Sequence, residues 1–298
     1  MKFASIAFGL LLLVVGTRQA TAGVLYGVDF TDGIWKIDTD AKTSTLVFDT
    51  NLSGQNNSAG FDGQRGHLFF MNRNTAGTPT VPATDLTLQY WNSATNTFSQ
   101  IANNTQLGFN DNPANGAYYQ NALWVIRQGT NTLSRIALNY SSGNPSFGGV
   151  TNYSVTNRVA NQSIWGDIAI THDGMLYAWT SGQSPALGDF FRINLAAITG
   201  TTAPAVAIAT DTGVGLQISF GGDSSTLYGH NTAGSWFTID KLTGAVSPIS
   251  GLSTVPFRDL AGANVPEPGT MVVAGMVTGG AWLRRLRRRK LAVAAESV

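Results

Sequence analysis

The chain has 298 residues, no cysteine and a formal charge of +1 that averages over unlike segments. Without cysteine, disulfides, thiol catalysis and zinc–thiolate sites are excluded. Residues 23–270 carry ten Lys and Arg against sixteen Asp and Glu, and this net charge of −6 argues against nucleic acid as a partner, because phosphate binding needs clustered positive charge.

Residues 1–22 have the three parts of a secretory signal peptide. Lys2 gives a short charged start, an apolar run occupies residues 6–15, and small side chains follow at Ala20 and Ala22. These two small residues fit the pockets of a signal peptidase, so we predict cleavage directly after them. A membrane anchor or a core helix is the alternative, but the apolar run is far shorter than the ~20 residues that span a bilayer.

Apolar and aromatic runs recur through residues 23–263, and each follows a turn signal. Their starts lie about 40 to 55 residues apart, which is the repeat length of a four-stranded propeller blade. The five runs are residues 24–28, 67–71, 122–126, 175–179 and 226–230.

A second strand with alternating apolar and polar residues follows each run, which indicates one buried and one wetter face. These strands are residues 33–38, 86–91, 132–136, 190–194 and 235–240. A third strand often follows, as at residues 44–48 and 205–208. An inner strand precedes the fourth run at residues 167–170, and Asp173-Gly174 between them is a strong hairpin signal, because glycine accepts positive φ.

We therefore predict an all-β domain over residues 23–263, a β-propeller of about five four-stranded blades. The first run has no room for an inner strand ahead of it, and residues 259–263 are predicted to fill this place. Pairing with residues 24–28 would close the ring and remove exposed sheet edges. A β-sandwich or a β-helix is the alternative. Helical periodicity is confined to a weak stretch near residues 195–198, expected to be a turn at most.

The search for catalytic or cofactor-binding residues finds none. The histidines His67, His172 and His230 have no metal-ligand spacing, so we expect surface or packing roles for them. The chain has neither a G-x-S-x-G nucleophile motif nor a phosphate-binding glycine pattern. We predict no catalytic residue, no metal site and no cofactor.

Carboxylates recur near the ends of the predicted strands. They would suit a propeller mouth that binds a cation or a sugar, but Asp side chains commonly bond the backbone of their own turn, and we prefer that interpretation. The residues are Asp29, Asp62, Asp167, Asp223 and Asp259.

Five of the seven tryptophans fall inside predicted strands: Trp35, Trp91, Trp124, Trp179 and Trp236. Aromatic faces can stack on sugar rings, yet propeller sheets also pack face to face through large side chains. We expect most of these tryptophans in the core and at most one or two along an exposed groove.

Residues 264–298 form three consecutive parts. In the first, Val265-Pro266-Glu267-Pro268, the prolines keep the backbone extended because each ring fixes φ and disfavours the α region in the residue before it. Next come 13 apolar residues at 271–283, about 20 Å long as a helix against a hydrocarbon core of about 30 Å. The positive-inside rule keeps the last part in the cytoplasm. Its basic residues are Arg284, Arg285, Arg287, Arg288, Arg289 and Lys290.

This arrangement closely resembles the PEP-CTERM sorting signal of Gram-negative bacteria. The resemblance covers about the last 34 residues. It implies recognition by an exosortase, cleavage near Pro266, Glu267 and Pro268, and release or attachment at the cell surface. Residues 291–298 continue beyond the basic cluster, where many members of the family stop. A single-pass anchor that is never cleaved is the alternative.

Together these features predict an exported, exosortase-processed surface or extracellular-matrix protein that is not an enzyme. A content of 12% charged residues, about half the usual share, suits an extracellular surface. The expected partners are signal peptidase, exosortase, the inner membrane transiently, and polysaccharide or another surface protein. The alternative is a secreted polysaccharide-acting enzyme with its site in the propeller channel. Two or more carboxylates or histidines converging on one cavity would favour that alternative.

Overall fold

The structure is a computed structural model. It describes residues 23–52, 55–73, 86–109, 113, 115–127, 129–141, 143–157, 165–181, 189–210, 212, 215–222 and 224–262. The predicted signal peptide, the proline-rich motif, the apolar stretch at 271–283 and the basic cluster all lie outside these ranges. No helix within them combines the length and the apolar character that a bilayer crossing requires.

The described part of the chain is mostly β, as the sequence predicts. Its first sheet joins the two ends of that part, because the last strand pairs with the first. Leu25 lies opposite Gly262 and Val28 opposite Asp259 in an antiparallel register, which confirms the predicted pairing. The order β20-β1-β2-β3 consists of β1 (Val24–Asp29), β2 (Gly33–Asp38), β3 (Thr43–Asp49) and β20 (Phe257–Gly262).

The second sheet is an antiparallel meander in chain order. It consists of β4 (Gln55–Asp62), β5 (His67–Arg73), β6 (Leu86–Asn92) and β7 (Thr97–Asn103). A short helix, α1 (Asn104–Leu107), follows and was not expected from the sequence. Its signal is a capping box, in which Asn103 and Gln106 each accept a hydrogen bond from the other's backbone N–H. A helix of four residues is too short to show a helical period in the sequence.

The third sheet has eight strands and consists of two four-stranded halves. The first half contains β8 (Ala117–Tyr118), β9 (Ala122–Ile126), β10 (Thr132–Asn139) and β11 (Ser146–Thr156). The second contains β12 (Trp165–Ile170), β13 (Met175–Ser181), β14 (Asp189–Asn194) and β15 (Thr202–Thr210), with a 3₁₀ turn at Leu195–Ala197. The last strands, β11 and β15, pair in parallel over three residue pairs. This contact covers two strand edges that would otherwise be open to pairing with another chain.

The fourth sheet is a second antiparallel meander of four short strands. They are β16 (Gln217–Phe220), β17 (Leu227–His230), β18 (Trp236–Ile239) and β19 (Val246–Ile249).

One strand at the end of each four-stranded group contacts its counterparts in the neighbouring groups. The contacts run from β4 to β8, β12, β16 and β20 and return to β4, so these five strands form a closed cycle. We call them the first strands, because each lies at the start of its four-stranded group, although β20 comes last in the chain. The backbones approach closely there: a Cβ on Gly262 would lie 1.8 Å from the carbonyl oxygen of Phe220, and one on Gly116 would lie 2.4 Å from that of Ser58. Only glycine fits at such distances.

Apolar side chains fill the space between neighbouring sheets. Trp236 of the fourth sheet, for example, packs in one cluster with Leu25 and Phe257 of the first. Four of the five strand tryptophans are buried, whereas Trp35 is half-buried, which confirms the expectation that most belong to the core. Each buried aromatic side chain contributes about 2–3 kcal/mol of transfer free energy to folding.

Candidate functional site

Two acidic side chains meet where the first strands converge. Asp167 is the third residue of β12 and Asp259 the third residue of β20. The exposed fractions of the two residues are only 1% and 0%. Their strands contact each other, the two carboxyl groups influence each other's pKa, and we call them the acid pair.

Each member of the acid pair also binds the first strand of the next sheet. Asp167 accepts a hydrogen bond of 2.8 Å from the backbone N–H of Ile218 on β16. Asp259 accepts one of 2.9 Å from the N–H of Ala59 on β4. The N–H groups of the residues that follow, Ile168 and Leu260, add bonds of 2.6 and 2.7 Å. The acid pair therefore links four of the five first strands.

Burial raises the pKa of both carboxyl groups, because an apolar environment disfavours the charged form. The pKa of Asp259 rises to about 7. The pKa of Asp167 lies well above its usual range, and the negative charge of Asp259 raises it further. The acid pair therefore retains a proton at neutral pH.

The cavity beside the acid pair is too small for a substrate. Its volume is about 10 Å³, which is space for roughly one water molecule. One small residue of each first strand lines it: Ala59, Ala117, Ala169, Ser219 and Ala261. No sugar ring fits there, so the pair has carboxyl chemistry without access for a substrate.

Polar side chains also lie on, or just before, the other first strands. Ser58 donates to the carbonyl oxygen of Pro113 at 2.7 Å, and Asn115 accepts from the N–H of Ile126 at 2.7 Å. The Oε1 atom of Gln217 is buried and has no hydrogen-bond partner in the described structure. No group of three or more His, Cys, Asp or Glu suited to a metal ion occurs among the described residues.

Two further carboxylates have the turn role that the sequence predicts. Asp29 accepts from the N–H of Gly33 at 2.8 Å and from the indole N–H of Trp35 at 2.7 Å. Asp62 accepts from the N–H of Gln64 at 3.0 Å and forms an ion pair of 2.8 Å with Arg65.

The turn interpretation is wrong for Asp167 and Asp259, because both lie inside strands and bond across sheets. Asp223 lies outside the described residues.

The histidines have packing or surface positions, as predicted. His67 is buried and its ring stacks on Tyr140 at 6.0 Å between centroids. His230 is fully buried beside Trp236, and burial lowers its pKa to about 4, so it is neutral at physiological pH. His172 is exposed in the turn between β12 and β13.

An open groove of about 360 Å³ lies between the two halves of the third sheet. This volume is within the range of small-ligand sites. We call it the aromatic groove, and its wall consists of Tyr119, Gln120, Trp124, Arg135, Tyr153, Asp173, Leu195, Ala196, Ile198 and Gly200.

Aromatic rings form one side of the aromatic groove. Tyr153 stacks on Trp124 with 5.9 Å between centroids and an interplanar angle of 20°. The guanidinium of Arg135 lies 6.0 Å from the centre of the Trp124 ring. Trp124 is 94% buried, and its indole N–H has no hydrogen-bond partner among the described residues. Tyr153 remains half-exposed and offers a ring surface to a ligand.

Polar groups complete the aromatic groove. Gln120 donates to the hydroxyl oxygen of Tyr119 at 2.9 Å. The Thr171 hydroxyl donates to Asp173 and lowers the pKa of that carboxyl group, so Asp173 is ionised at neutral pH. Burial, assisted by the charge of Asp173, raises the pKa of Tyr119 and keeps its hydroxyl protonated. The groove thus offers both donors and acceptors next to aromatic faces.

A second open groove, of about 440 Å³, lies along the fourth sheet. Trp236, Phe237, Pro248 and Ile249 line it together with small residues just before β18 and after β19. No charged side chain is among its lining residues, so it differs in chemistry from the aromatic groove.

The sequence identified only part of these sites. Trp124 and Arg135 fall in predicted strands and Asp173 in the predicted hairpin turn, but nothing in the pattern indicated that they converge. Tyr119 and Tyr153 were missed altogether. The available signal for Tyr119 was an aromatic residue directly after β8, and that for Tyr153 was an aromatic residue inside a strand; both are common in turns and cores.

Comparisons with known proteins identify no family. No protein-family model matches the chain, and no curated protein matches it. Solved structures similar to this chain include a functionally unknown protein from Desulfotomaculum acetoxidans DSM 771. It has 14% identity and a TM-score of 0.42, and the match covers 78% of this chain and 69% of that one. A nidogen/laminin complex has 9% identity and a TM-score of 0.45, and the match covers 80% of this chain and 97% of that one. A Lactobacillus plantarum protein has 13% identity and a TM-score of 0.42, and the match covers 82% of this chain and 68% of that one. Likenesses this weak carry no argument about function.

Proposed function

We propose that the chain is an exported five-bladed β-propeller that binds polysaccharide at the aromatic groove and is not an enzyme. The observation that carries the proposal is the groove itself, in which two tyrosines and a tryptophan lie beside an arginine, a carboxylate and an amide.

Three features of the fold support a five-bladed propeller. The described strands divide into five groups of four, if the two halves of the third sheet are counted separately. Their first strands contact each other in a closed cycle. The last strand completes the sheet that the first strand begins, which is how propellers close their ring.

The two chain ends support export and sorting. Ala20 and Ala22 follow an apolar run of signal-peptide length, and Val265-Pro266-Glu267-Pro268 precedes a short apolar stretch and a basic cluster. In this proposal signal peptidase removes the first segment, and the tail holds the protein in the inner membrane of a Gram-negative cell. An exosortase then cuts near the proline-rich motif and transfers the domain to the cell surface or matrix.

The burial of the acid pair argues against the alternative of a polysaccharide-acting enzyme. Hydrolysis of a glycosidic bond uses a pair of carboxyl groups, but those groups flank the sugar and lie about 5 Å or more apart. Asp167 and Asp259 are almost completely buried, beside a cavity with space for one water molecule. A sugar cannot reach them.

The aromatic groove fits a sugar ring by its chemistry. The apolar C–H face of a sugar packs against an aromatic ring, whose face carries partial negative charge. Half-exposed Tyr153 supplies such a ring. Arg135 can donate to sugar oxygens, and Asp173 can accept from sugar hydroxyls.

The test is binding of the purified chain to a panel of neutral and uronic-acid polysaccharides, measured by retardation in affinity gels. We expect retardation by at least one of them, and Tyr153→Ala should weaken it about tenfold, since one stacked ring is worth about 1.4 kcal/mol. Phe237→Ala, which removes an aromatic ring from the second groove, is the matched control and should bind like the wild type. A flat result over the whole panel would contradict the proposal.

Sorting is tested separately by mass spectrometry of the mature protein in its host. We expect a C-terminus near Pro266, Glu267 or Pro268. Recovery of surface protein that still contains Arg284 to Lys290 would show that the tail is a permanent anchor instead.

A further inference from the structure

The turn between β8 and β9 carries part of the aromatic groove. Tyr119 and Gln120, which line the groove, belong to this turn together with Asn121. The N–H of Tyr119 donates to the carbonyl oxygen of Ala122 at 2.9 Å, and the N–H of Ala122 donates back at 3.1 Å. Gln120 and Asn121 are therefore the two central residues of a tight hairpin turn.

The backbone of this turn is strained. Gln120 has a φ of 47° and Asn121 a φ of 55°, both in the left-handed region that two-residue hairpin turns favour. Glycine adopts this conformation most readily and asparagine next, whereas glutamine rarely does. The turn therefore depends on contacts from outside it to keep its shape.

Arg65, in the turn between β4 and β5 of the second sheet, supplies such a contact. Its Nη1 atom donates to Oδ1 of Asn121 at 3.2 Å. The same atom forms the 2.8 Å ion pair with Asp62, and the guanidinium lies 3.9 Å from the centre of the Tyr140 ring. Because the guanidinium is held on both these sides, it can fix the side chain of Asn121 in place.

Asp62 is a firm anchor for this guanidinium. Its Oδ1 atom accepts from the backbone N–H groups of Gln64 and Arg65 at 3.0 and 3.3 Å. Its Oδ2 atom accepts from the hydroxyl of Tyr118 at 2.8 Å. Since Tyr118 is the last residue of β8, this bond also attaches the carboxyl group to the strand that leads into the turn. The ion pair is thus bound to the second and the third sheet.

Arg65 and Asp62 lie outside the set of residues that line the aromatic groove. On the groove side of the turn, Gln120 donates to the hydroxyl of Tyr119 at 2.9 Å. A Cβ on Gly174 would lie 2.7 Å from that hydroxyl oxygen, so Tyr119 packs against the turn between β12 and β13. A movement of the β8–β9 turn would therefore change the shape of the groove.

We propose that Arg65 and Asp62 position one wall of the aromatic groove. Through Asn121 they hold the turn in its left-handed conformation, so that Tyr119 and Gln120 face a ligand. This role rests on the proposed polysaccharide binding, and the ligand touches neither member of the ion pair. Loss of the guanidinium should release the turn and weaken binding from a distance.

The experiment is a double-mutant cycle of Arg65→Gln and Asn121→Gly in the full chain. Affinity is measured in gels that contain the polysaccharide bound best by the wild type. We expect about a fivefold loss in Arg65→Gln, the effect of one charge-assisted hydrogen bond. Asn121→Gly should lose about twofold at most, because glycine adopts the left-handed region without an anchor. The double variant should bind like Asn121→Gly, since the anchor then has no side chain to hold.

Hydrogen exchange of the ligand-free chain gives a readout that is independent of the polysaccharide. Protection of the Ala122 amide, which closes the turn, should fall in Arg65→Gln and return in the double variant. A general loss of stability would instead be shared by both. Lys36→Gln, at an exposed cation on β2, is the matched control for the loss of one positive charge and should bind and exchange like the wild type.

A loss of affinity in the double variant as large as that in Arg65→Gln would overturn the proposal, because an ion pair with a merely structural role gives that result. Unchanged exchange of Ala122 in Arg65→Gln would overturn it as well. Failure of the wild type to bind any polysaccharide in the panel would contradict the proposed function instead, and the Ala122 exchange would then decide alone whether Arg65 holds the turn.

If Arg65→Gln does not fold, Asn121→Ala takes its place. This change removes the acceptor of the Arg65 bond, keeps the ion pair with Asp62 and leaves a Cβ at a positive φ. Asn121→Ala should lose affinity and Ala122 protection, whereas Asn121→Gly should not. Equal behaviour of the two variants would overturn the proposal.

Discussion

The acid pair and the aromatic groove contain similar chemical groups in opposite settings. Asp167 and Asp259 are buried, bonded to backbone N–H groups of two other strands, and next to a cavity of about 10 Å³. Asp173 is exposed, ionised and on the wall of a groove of about 360 Å³. The acid pair is distinguished by its strongly raised pKa values, and the aromatic groove by its accessibility to a ligand.

A carboxyl group with a shifted pKa can belong either to an active site or to a buried structural network. Strongly shifted pKa values often mark active sites, but buried structural networks shift them too. In this chain the shift comes from complete desolvation in a ring of strands, which is a structural cause. The open site carries only modest shifts and a set of donors, acceptors and rings, as expected for a binding surface.

The largest loss of stability is expected from removing one member of the acid pair. Asp259→Ala leaves the N–H groups of Ala59 and Leu260 without their acceptor and Asp167 buried without its partner. We expect a loss of about 3 kcal/mol or more in the free energy of unfolding, measured by urea denaturation. Asp49→Asn, a change at the exposed last residue of β3, should leave it nearly unchanged. A similarly small change in Asp259→Ala would show that the pair does not hold the fold.

A methyl group at the convergence of the first strands should have the next largest effect. In Gly262→Ala the new Cβ would lie 1.8 Å from the carbonyl oxygen of Phe220, so β20 and β16 must separate. We expect a loss of about 1–3 kcal/mol by urea denaturation. Gly143→Ala, where a Cβ meets nothing within 4 Å but φ is +86°, is the control for the intrinsic cost of replacing a glycine. An equal or smaller loss at Gly262 would contradict the close packing.

Changes in the groove should affect binding more than stability. Tyr153→Ala is expected to reduce polysaccharide affinity about tenfold, with a loss of only about 1 kcal/mol in the free energy of unfolding, since the residue is half-exposed. Affinity gels and urea denaturation on the same preparation separate the two. Full binding by the folded variant would exclude the aromatic groove.

The smallest effect is expected at the groove's carboxylate. Asp173→Asn keeps one acceptor oxygen but removes the charge, and a charged acceptor forms the stronger hydrogen bond. We expect about a threefold loss of affinity for a neutral polysaccharide, measured by calorimetry. For a uronic-acid polymer the same change should strengthen binding, because it removes a repulsion. Loss of equal size on both would argue for a purely structural role.

Much of the strand pattern was predictable because period-two alternation and turn residues are local. Residues 33–38 and 122–126 coincide with β2 and β9, and the Asp173-Gly174 turn lies where the hairpin signal places it. Even the pairing of the last strand with the first could be expected, since the first run lacked an inner strand. These conclusions require only neighbouring residues and the need to close a sheet.

The sites could not be predicted because they join residues that are distant in sequence. Asp167 and Asp259 meet across the ring, and their local sequences look like strand ends with a turn aspartate. Tyr153 on β11 stacks on Trp124 on β9, two strands away in the same sheet, and Asp173 joins them from the next group of strands. One sequence alone does not contain these distances.

Hydroxyl-radical footprinting of the chain, with and without the polysaccharide that binds best in the panel, tests the binding site most directly. We expect protection of Tyr119 and Tyr153 in the aromatic groove, with Phe237 in the second groove unchanged. Protection at Phe237 alone, or none at either groove despite binding, would contradict it.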